Sequence, residues 1–408
     1  MDSLIKLGIG KFELDWGKYL REEDYSDLFG SVELKNLSTY GYDEYSEEVV
    51  LLQKKGFSRP LKEIKKRLDI LGFNSNSLES IFNETREFYY LRGYDILISY
   101  EEFYKSLVSL NLSEINTVNT ECVHEAYELG EYVRRCVFKA PLLMNRFSNR
   151  DGIDISFVSD FLENLNPRII LRILSDNTEN LDFNVVWFPS KDYLIDRCRI
   201  TTSSNNVIMI VTEGTSDLLI LKRTIDELYP EISDLFDYID MENYPFTGNG
   251  GLQNFCIGLD RIKIQKNILV LFDNDAAGVE SYQIVKEKCS DSMPFILTLP
   301  DHKDFESFYT VGPQGNSFEN INGKAVSIEC FLDLKSVDDV PCIRWTSYQK
   351  KIGRYQGALE NKESFQKLFF KSNLTDGSYD ISKLKYLIDY IISKLIDWNS
   401  HSHINVSI

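Results

Sequence analysis

Two stretches decide the fold: Val207-Ile-Met-Ile-Val211-Thr212-Glu213-Gly214-Thr-Ser-Asp217 and Ile268-Leu-Val-Leu-Phe272-Asp273-Asn-Asp275-Ala-Ala-Gly278. Each opens on a continuous apolar run, as a parallel strand buried on both faces requires, and each runs out into acids and a glycine. The same alternation continues around them. Leu218–Leu228, Leu252–Ile262 and Ala276–Lys286 carry helical spacing, and Phe236–Asp240 and Phe295–Leu299 read as further short strands. Strand-helix alternation implies a parallel α/β sheet with helices on its faces, where ligands collect at the carboxyl ends of the strands.

The acids fall at those ends. Glu213 follows the first strand, Gly214 permits a tight turn, and Asp217 lies one helical turn further on, so both carboxylates can point into one crevice. Asp273 and Asp275 can converge on a cation where the chain bends, and Gly278 allows the next helix to pack closely. A single acid opening a helix is ordinarily a cap or a partner of the helix dipole. Four at the ends of two parallel strands raise one another's pKa unless a cation intervenes. Asp273-x-Asp275 alone would also suit a glycosyltransferase holding Mn²⁺ and a sugar nucleotide, but that reading leaves Glu213 and Asp217 without a task.

Outward from this core the chain changes character. The first 50 residues are acidic, with 12 acids against 5 bases, and Lys11-Phe-Glu-Leu-Asp-Trp16 alternates like a strand on an exposed sheet. From Ser58-Arg-Pro60 the pattern turns helical, with Ser58 as a cap and Pro60 in the first turn; amphipathic stretches follow near 76–91, 100–110 and 124–138. The expected organisation is an α-rich α+β domain over 1–195, an α/β domain over 196–335 and a helical extension over 336–408. Between Arg344 and Lys371, seven bases stand against two acids, interleaved with Trp345, Tyr348 and Tyr355. That segment suits phosphates and bases, with Arg344, Lys350, Lys351, Arg354 and Lys367 as the expected contacts.

Composition excludes several classes. The chain has 408 residues and a formal charge of −18, so indiscriminate nucleic-acid binding through global positive charge is ruled out. No apolar run approaches the length of a membrane span, and the opening Met1-Asp2-Ser3-Leu4-Ile5-Lys6 does not read as a signal peptide. Seven scattered Cys, none spaced CxxC, fit a reducing cytoplasm. With only four His, any metal should be held by oxygen, which favours Mg²⁺ or Mn²⁺.

The motif Glu213-Gly214 with Asp217, followed by Leu-Phe-Asp273-Asn-Asp275-Ala-Ala-Gly278, resembles the Toprim domain of topoisomerases, primases and nucleases of the overcoming-lysogenization-defect type. Gly323-Lys324-Ala-Val-Ser327-Ile-Glu329-Cys is similar to the Ser-x-Glu element of that nuclease branch, and Lys362 is the candidate for its catalytic lysine, with Lys324 and Lys367 as competitors. The whole chain also resembles HEPN/Toprim-associated proteins, through Ile9-Gly-Lys-Phe-Glu-Leu-Asp-Trp16-Gly, Gly56-Phe-Ser-Arg-Pro60-Leu and Asp240-Met-Glu-Asn-Tyr-Pro245-Phe-Thr-Gly-Asn-Gly250. No His is preceded by an Arg with four to six residues between them, the motif that HEPN ribonucleases use, and no GxxxxGK[ST] is present.

The resemblance implies a Rossmann-like Toprim domain with two Mg²⁺ or Mn²⁺ ions. Asp273 and Asp275 would hold one, and Glu213, Asp217 and Glu329 the other, with Gly214, Gly278 and Ser327 in support. Glu213 and Lys362 would take part in catalysis. It implies an endonuclease acting on DNA or RNA, tRNA among the candidates, in bacterial anti-phage defence. The alternative is a catalytically silent Toprim scaffold or sensor in a defence complex. Expected partners are the nucleic acid, a second copy of the chain and a defence-system protein; no membrane is expected.

Overall fold

The computed structural model describes residues 3–14, 24–29, 34–43, 45–46, 48–115, 127–138, 143–145, 161–162, 164–189, 207–239, 248–263, 267–289, 294–313, 315–335, 340–350 and 352–402. The chain divides into two compact units, Met1–Ser204 with Asn399–Ile408, and Asn205–Trp398.

The first unit holds more strand than its helical periodicity suggests. Strands β1 (Leu7–Ile9), β2 (Phe12–Glu13), β3 (Lys35–Asp43) and β4 (Glu48–Pro60) precede a short pair, β5 (Tyr94–Ile96) with β6 (Leu143–Asn145), and β7 (Asn184–Trp187) closes an antiparallel sheet of order β2-β1-β7-β4-β3. The expected exposed opening is instead buried. Leu7, Ile9, Phe12 and Leu14 enter the core, and even Glu13 is inaccessible to solvent, its carboxylate accepting from the backbone N–H groups of Lys6 and Leu7. Asp15 to Gly17 of the quoted opening, residues 240–247 of the third quoted segment, and residues 124–126 of the expected helix 124–138 lie outside the described residues. Ser58 is no cap: it pairs with Val186 within β4, which runs on to Pro60 before the helix Leu61–Ile70 begins. Helices Leu78–Leu91, Tyr100–Val108 and Pro167–Leu174 complete a core in which Trp187 stacks on Phe57 at 5.4 Å.

The second unit is mixed α/β and follows the alternation closely. Strands β8 (Ile208–Thr212), β9 (Phe236–Tyr238), β10 (Ile268–Phe272) and β12 (Phe295–Thr298) form a wholly parallel sheet of order β12-β10-β8-β9. Helices Thr215–Leu228, Gly248–Ile262 and Ala276–Lys288 connect them. The apolar runs explain this: all five residues of β10 are buried, which only a strand covered on both faces tolerates. The chain leaves β8 for β9 on one side, then crosses to β10 on the other. The order therefore reverses between β8 and β10, and a crevice opens at their carboxyl ends.

Gly278 sits where the following helix starts. A Cβ there would come within 2.2 Å of the Asp273 carbonyl oxygen, which is backbone and cannot swing away. Gly278→Ala is expected to cost about 3 kcal/mol in denaturant unfolding, and a loss below roughly 0.5 kcal/mol would remove this role for the glycine.

The expected helical extension over 336–408 begins as a hairpin. After β11 (Asn274–Asp275), β13 (Phe308–Gly312), β14 (Gly315–Glu319) and β15 (Ala325–Val326), strands β16 (Ile343–Gln349) and β17 (Arg354–Leu359) join β13 and β14 in a second sheet, β14-β13-β16-β17. Gly353 closes the turn at φ +64°, donating its N–H to the Gln349 carbonyl at 2.9 Å. Helices Lys362–Lys371 and Ser382–Ser402 follow. No helix among the described residues is long and apolar enough to cross a membrane.

Candidate functional site

The crevice gathers acids from four elements. Parallel pairing of β8 with β10 sets Glu213 beside Asp273, whose backbone N–H donates to Glu213 Oε1 at 3.3 Å. Asp217 rises from the first turn of helix Thr215–Leu228. Asp275 caps the helix Ala276–Lys288, Oδ1 accepting from the Gly278 N–H at 2.7 Å, and its short strand β11 pairs with β15, the residues just before Ser327 and Glu329. Glu329 is buried, and Ser327 Oγ donates to its Oε2 at 2.6 Å.

A cation of the protein's own completes the group. Lys362, first residue of its helix, reaches Glu329 Oε2 at 3.1 Å. Gln366 lies four residues on, hence on the same helix face, and donates to Glu329 Oε1 at 2.8 Å. Arg223, on the helix that carries Asp217, donates to the carbonyls of Phe369 and Ser372 at the far end of the Lys362 helix. That bond fixes the lysine's helix against the aspartate's.

The electrostatics follow from burial and like charge. Glu213 is pushed up to about 8, by burial first and then by Asp275 and Asp217. Burial and then Glu329 push Asp217 up to about 7, and burial with Asp217, Glu213 and Asp275 holds Asp273 well above the carboxylate range. Glu329 moves down: burial works against its charge, but Lys362 and the Ser327 hydroxyl outweigh it. Burial likewise opposes the Lys362 ammonium, and Glu329 and Asp273 overcome it.

Glu213, Asp217, Asp273, Asp275, Glu329 and Lys362 are thus brought into one neighbourhood. The five acids offer hard oxygen donors in excess of what the Lys362 ammonium offsets, a donor set whose chemistry fits Mg²⁺ or Mn²⁺. Among the described residues no three His, Cys, Asp or Glu side chains meet closely enough to hold an ion as they stand. The acids ring the crevice rather than share one point.

The expected polymer contacts divide. Arg344, Lys350 and Arg354 lie exposed on the hairpin, Lys351 lies outside the described residues, and Lys367 faces Glu363 on an exposed helix surface at 3.5 Å. Arg344 is paired with Glu360. Tyr348 and Tyr355 are half exposed with ring centroids 5.0 Å apart. Strand alternation puts Tyr355 on the face opposite Gln356, and Gln356 is the residue that turns toward the acids, so the rings do not line the crevice itself. Sequence reasoning missed Gln356, Gln366 and Arg223. The i, i+4 spacing from Lys362 was the signal available for Gln366.

Residues 1–191 match the family model of HEPN/Toprim N-terminal domain 1. No curated protein and no solved structure gives a significant match. The match covers the N-terminal part of the chain. It ends before β8, so the crevice stands on its own geometry.

The raised carboxyls make stability depend on pH. Glu213 and Asp217 bind protons in the folded chain between their ordinary values and about 8 and 7, so the folded state holds more protons than the unfolded one there. That contribution is full below the ordinary carboxylate range and is lost as pH rises through 7 to 8. Melting temperature in chelator is expected to fall from pH 5 to pH 8, and to fall less in Glu213→Gln. Identical slopes for wild type and variant would contradict the coupling.

Proposed function

We propose that this chain is a divalent-metal-dependent nuclease of the Toprim type, cleaving phosphodiester bonds in DNA or RNA, and that it serves bacterial anti-phage defence. The observation that carries the reading is Lys362 beside Glu329 at 3.1 Å, in the crevice where Glu213, Asp217, Asp273 and Asp275 stand at adjacent strand ends. An ammonium among acids is what a phosphate would meet there.

In this reading Asp273 and Asp275 hold one cation, and Glu213, Asp217 and Glu329 hold another. Bound Mg²⁺ or Mn²⁺ supplies charge neutralisation and water activation for an in-line displacement. Glu213, at the end of β8 beside Asp273, is placed to accept a proton from the attacking water. Lys362 directs its ammonium to the phosphate, Ser327 and Gln366 hold Glu329, and Gly214 and Gly278 let backbone pass close to the acids. Contact with the polymer outside the crevice falls to Lys350, Lys351, Arg354 and Lys367, with Arg344 held by Glu360. A reducing cytoplasm is part of the proposal, supported by five described cysteines that are all free thiols.

The test is incubation of the pure protein with plasmid, single-stranded DNA and total tRNA in Mg²⁺, in Mn²⁺ and in chelator, beside Glu213→Gln. Metal-dependent cleavage lost in the variant is expected. Binding without cleavage under every condition would overturn the enzyme and favour the scaffold.

A further inference from the structure

Asp275 is held at both oxygens, and one of the two bonds comes from a distant part of the chain. Oδ1 accepts from the Gly278 N–H, as any capping aspartate would. Oδ2 accepts from Gln356 Nε2 at 2.5 Å, across 81 residues of sequence. The far end of the same amide is also fixed, because the Ala277 N–H donates to Gln356 Oε1 at 3.0 Å. These two bonds determine which way the amide faces: a flip would set oxygen against carboxylate and N–H against N–H.

The strand that delivers Gln356 is itself tied down beside the site. The Gly357 N–H donates to the Lys324 carbonyl at 3.1 Å, and Gly357 has no room for a side chain, since a Cβ would lie 2.6 Å from Ile343 Cγ2 and 2.8 Å from the Ala325 Cβ. Gln356 therefore sits on a rigid element and reaches an acid on another.

We infer that Gln356 is a positioning residue for the cation, orienting Asp275 through a neutral amide bridge. The neutrality matters. Lys362 holds Glu329 by offsetting its charge, whereas an amide fixes the direction of a carboxylate and leaves its full negative charge for a divalent ion. Partners that orient a ligating carboxylate this way set metal affinity without touching the metal. The inference rests on the proposed metal-dependent reading, and the experiment separates the two.

Mn²⁺ alone is titrated into the full-length protein, followed by the free-ion electron paramagnetic resonance signal and by calorimetry, with no nucleic acid present. Wild type, Gln356→Met, Gln356→Ala and Asp273→Asn are compared, each with its melting temperature in chelator. Gln356→Met keeps the volume and loses the donor, and is expected to bind Mn²⁺ at least roughly tenfold more weakly while melting within a few degrees of wild type. Gln356→Ala should weaken binding by a similar factor. Unchanged Mn²⁺ affinity in both variants, whatever happens to the melting temperature, would reduce Gln356 to a structural link and overturn the inference. Wild type that binds Mn²⁺ no better than Asp273→Asn would instead sink the metal-dependent reading, and the inference with it.

Discussion

Asp273→Asn is expected to slow phosphodiester cleavage by roughly a thousandfold or more, the equivalent of about 4 kcal/mol, while the protein melts at or above the wild-type temperature in chelator. The two halves of the expectation come from one cause. Asp273 stands at the end of β10 with Asp217, Glu213 and Asp275 around it, and burial together with those acids holds its carboxyl well above the usual range. A charge held under those conditions costs stability, and a neutral amide of the same shape removes that cost. The same charge is what a divalent cation needs. Gel-based cleavage in Mn²⁺ and scanning calorimetry in chelator at pH 8 read the two effects separately. A fall in melting temperature of ten degrees would assign Asp273 to the architecture, and retained cleavage would remove it from the reaction.

How much of this could be read from the residues differs between the units. The parallel sheet was legible because β8 and β10 are short, apolar except for Thr212 at the end of β8, and followed by acids and glycine, a pattern that a half-exposed strand or a surface helix does not produce. The four acids at the strand ends were legible for the same reason, since strand boundaries fix where a carboxylate emerges. Glu329 and Lys362 were not legible from spacing. They came through resemblance alone, because β15, a 3₁₀ turn and the hairpin lie between the parallel sheet and the helix that carries the lysine.

Gln356 left no trace, as a glutamine that holds an acid has the same letter as one that faces water, and Gln366 left only its i, i+4 spacing from Lys362. The hairpin β16–β17 hid behind its own irregularity: a register shift between Trp345 and Ser347 breaks the alternation that marks a strand, and the bases drew attention to charge instead. Gly353 was the signal available, a glycine between Ile343–Gln349, which is rich in aromatic and β-branched residues, and a run that opens with Arg354 and Tyr355. In the first unit, Glu13 and Lys11 made β2 look solvent-facing. The backbone N–H groups of Lys6 and Leu7 absorb the Glu13 charge, and a polar letter inside an alternating strand cannot reveal such a partner.

Lys362→Met tests the opposite sign within the same crevice. Glu329 is 2% exposed and depends on Lys362 for its charge; without the lysine it is a buried carboxylate left to the neutral hydrogen-bond donors around it, Ser327, Gln366 and its own backbone N–H. Breaking a fully buried ion pair from one side costs about 3–5 kcal/mol. The lysine side chain keeps 36% of its surface in solvent, so screening brings the expected loss to about 2–3 kcal/mol. Asp273→Asn should stabilise, Lys362→Met should destabilise, and both should stop cleavage. The pH dependence separates the causes further. Glu329 is held below its usual range by Lys362, so in the variant its pKa rises and the destabilisation should shrink as pH falls from 8 to 5 and the carboxyl takes up a proton. Adding Glu329→Gln to Lys362→Met should return most of the stability at pH 8, because the unpaired charge is gone, and none of the activity. Denaturant unfolding of the four members of this cycle at both pH values is the measurement. A double variant as unstable as Lys362→Met alone would mean that the lysine packs rather than pairs, and that Glu329 does not depend on it for its charge.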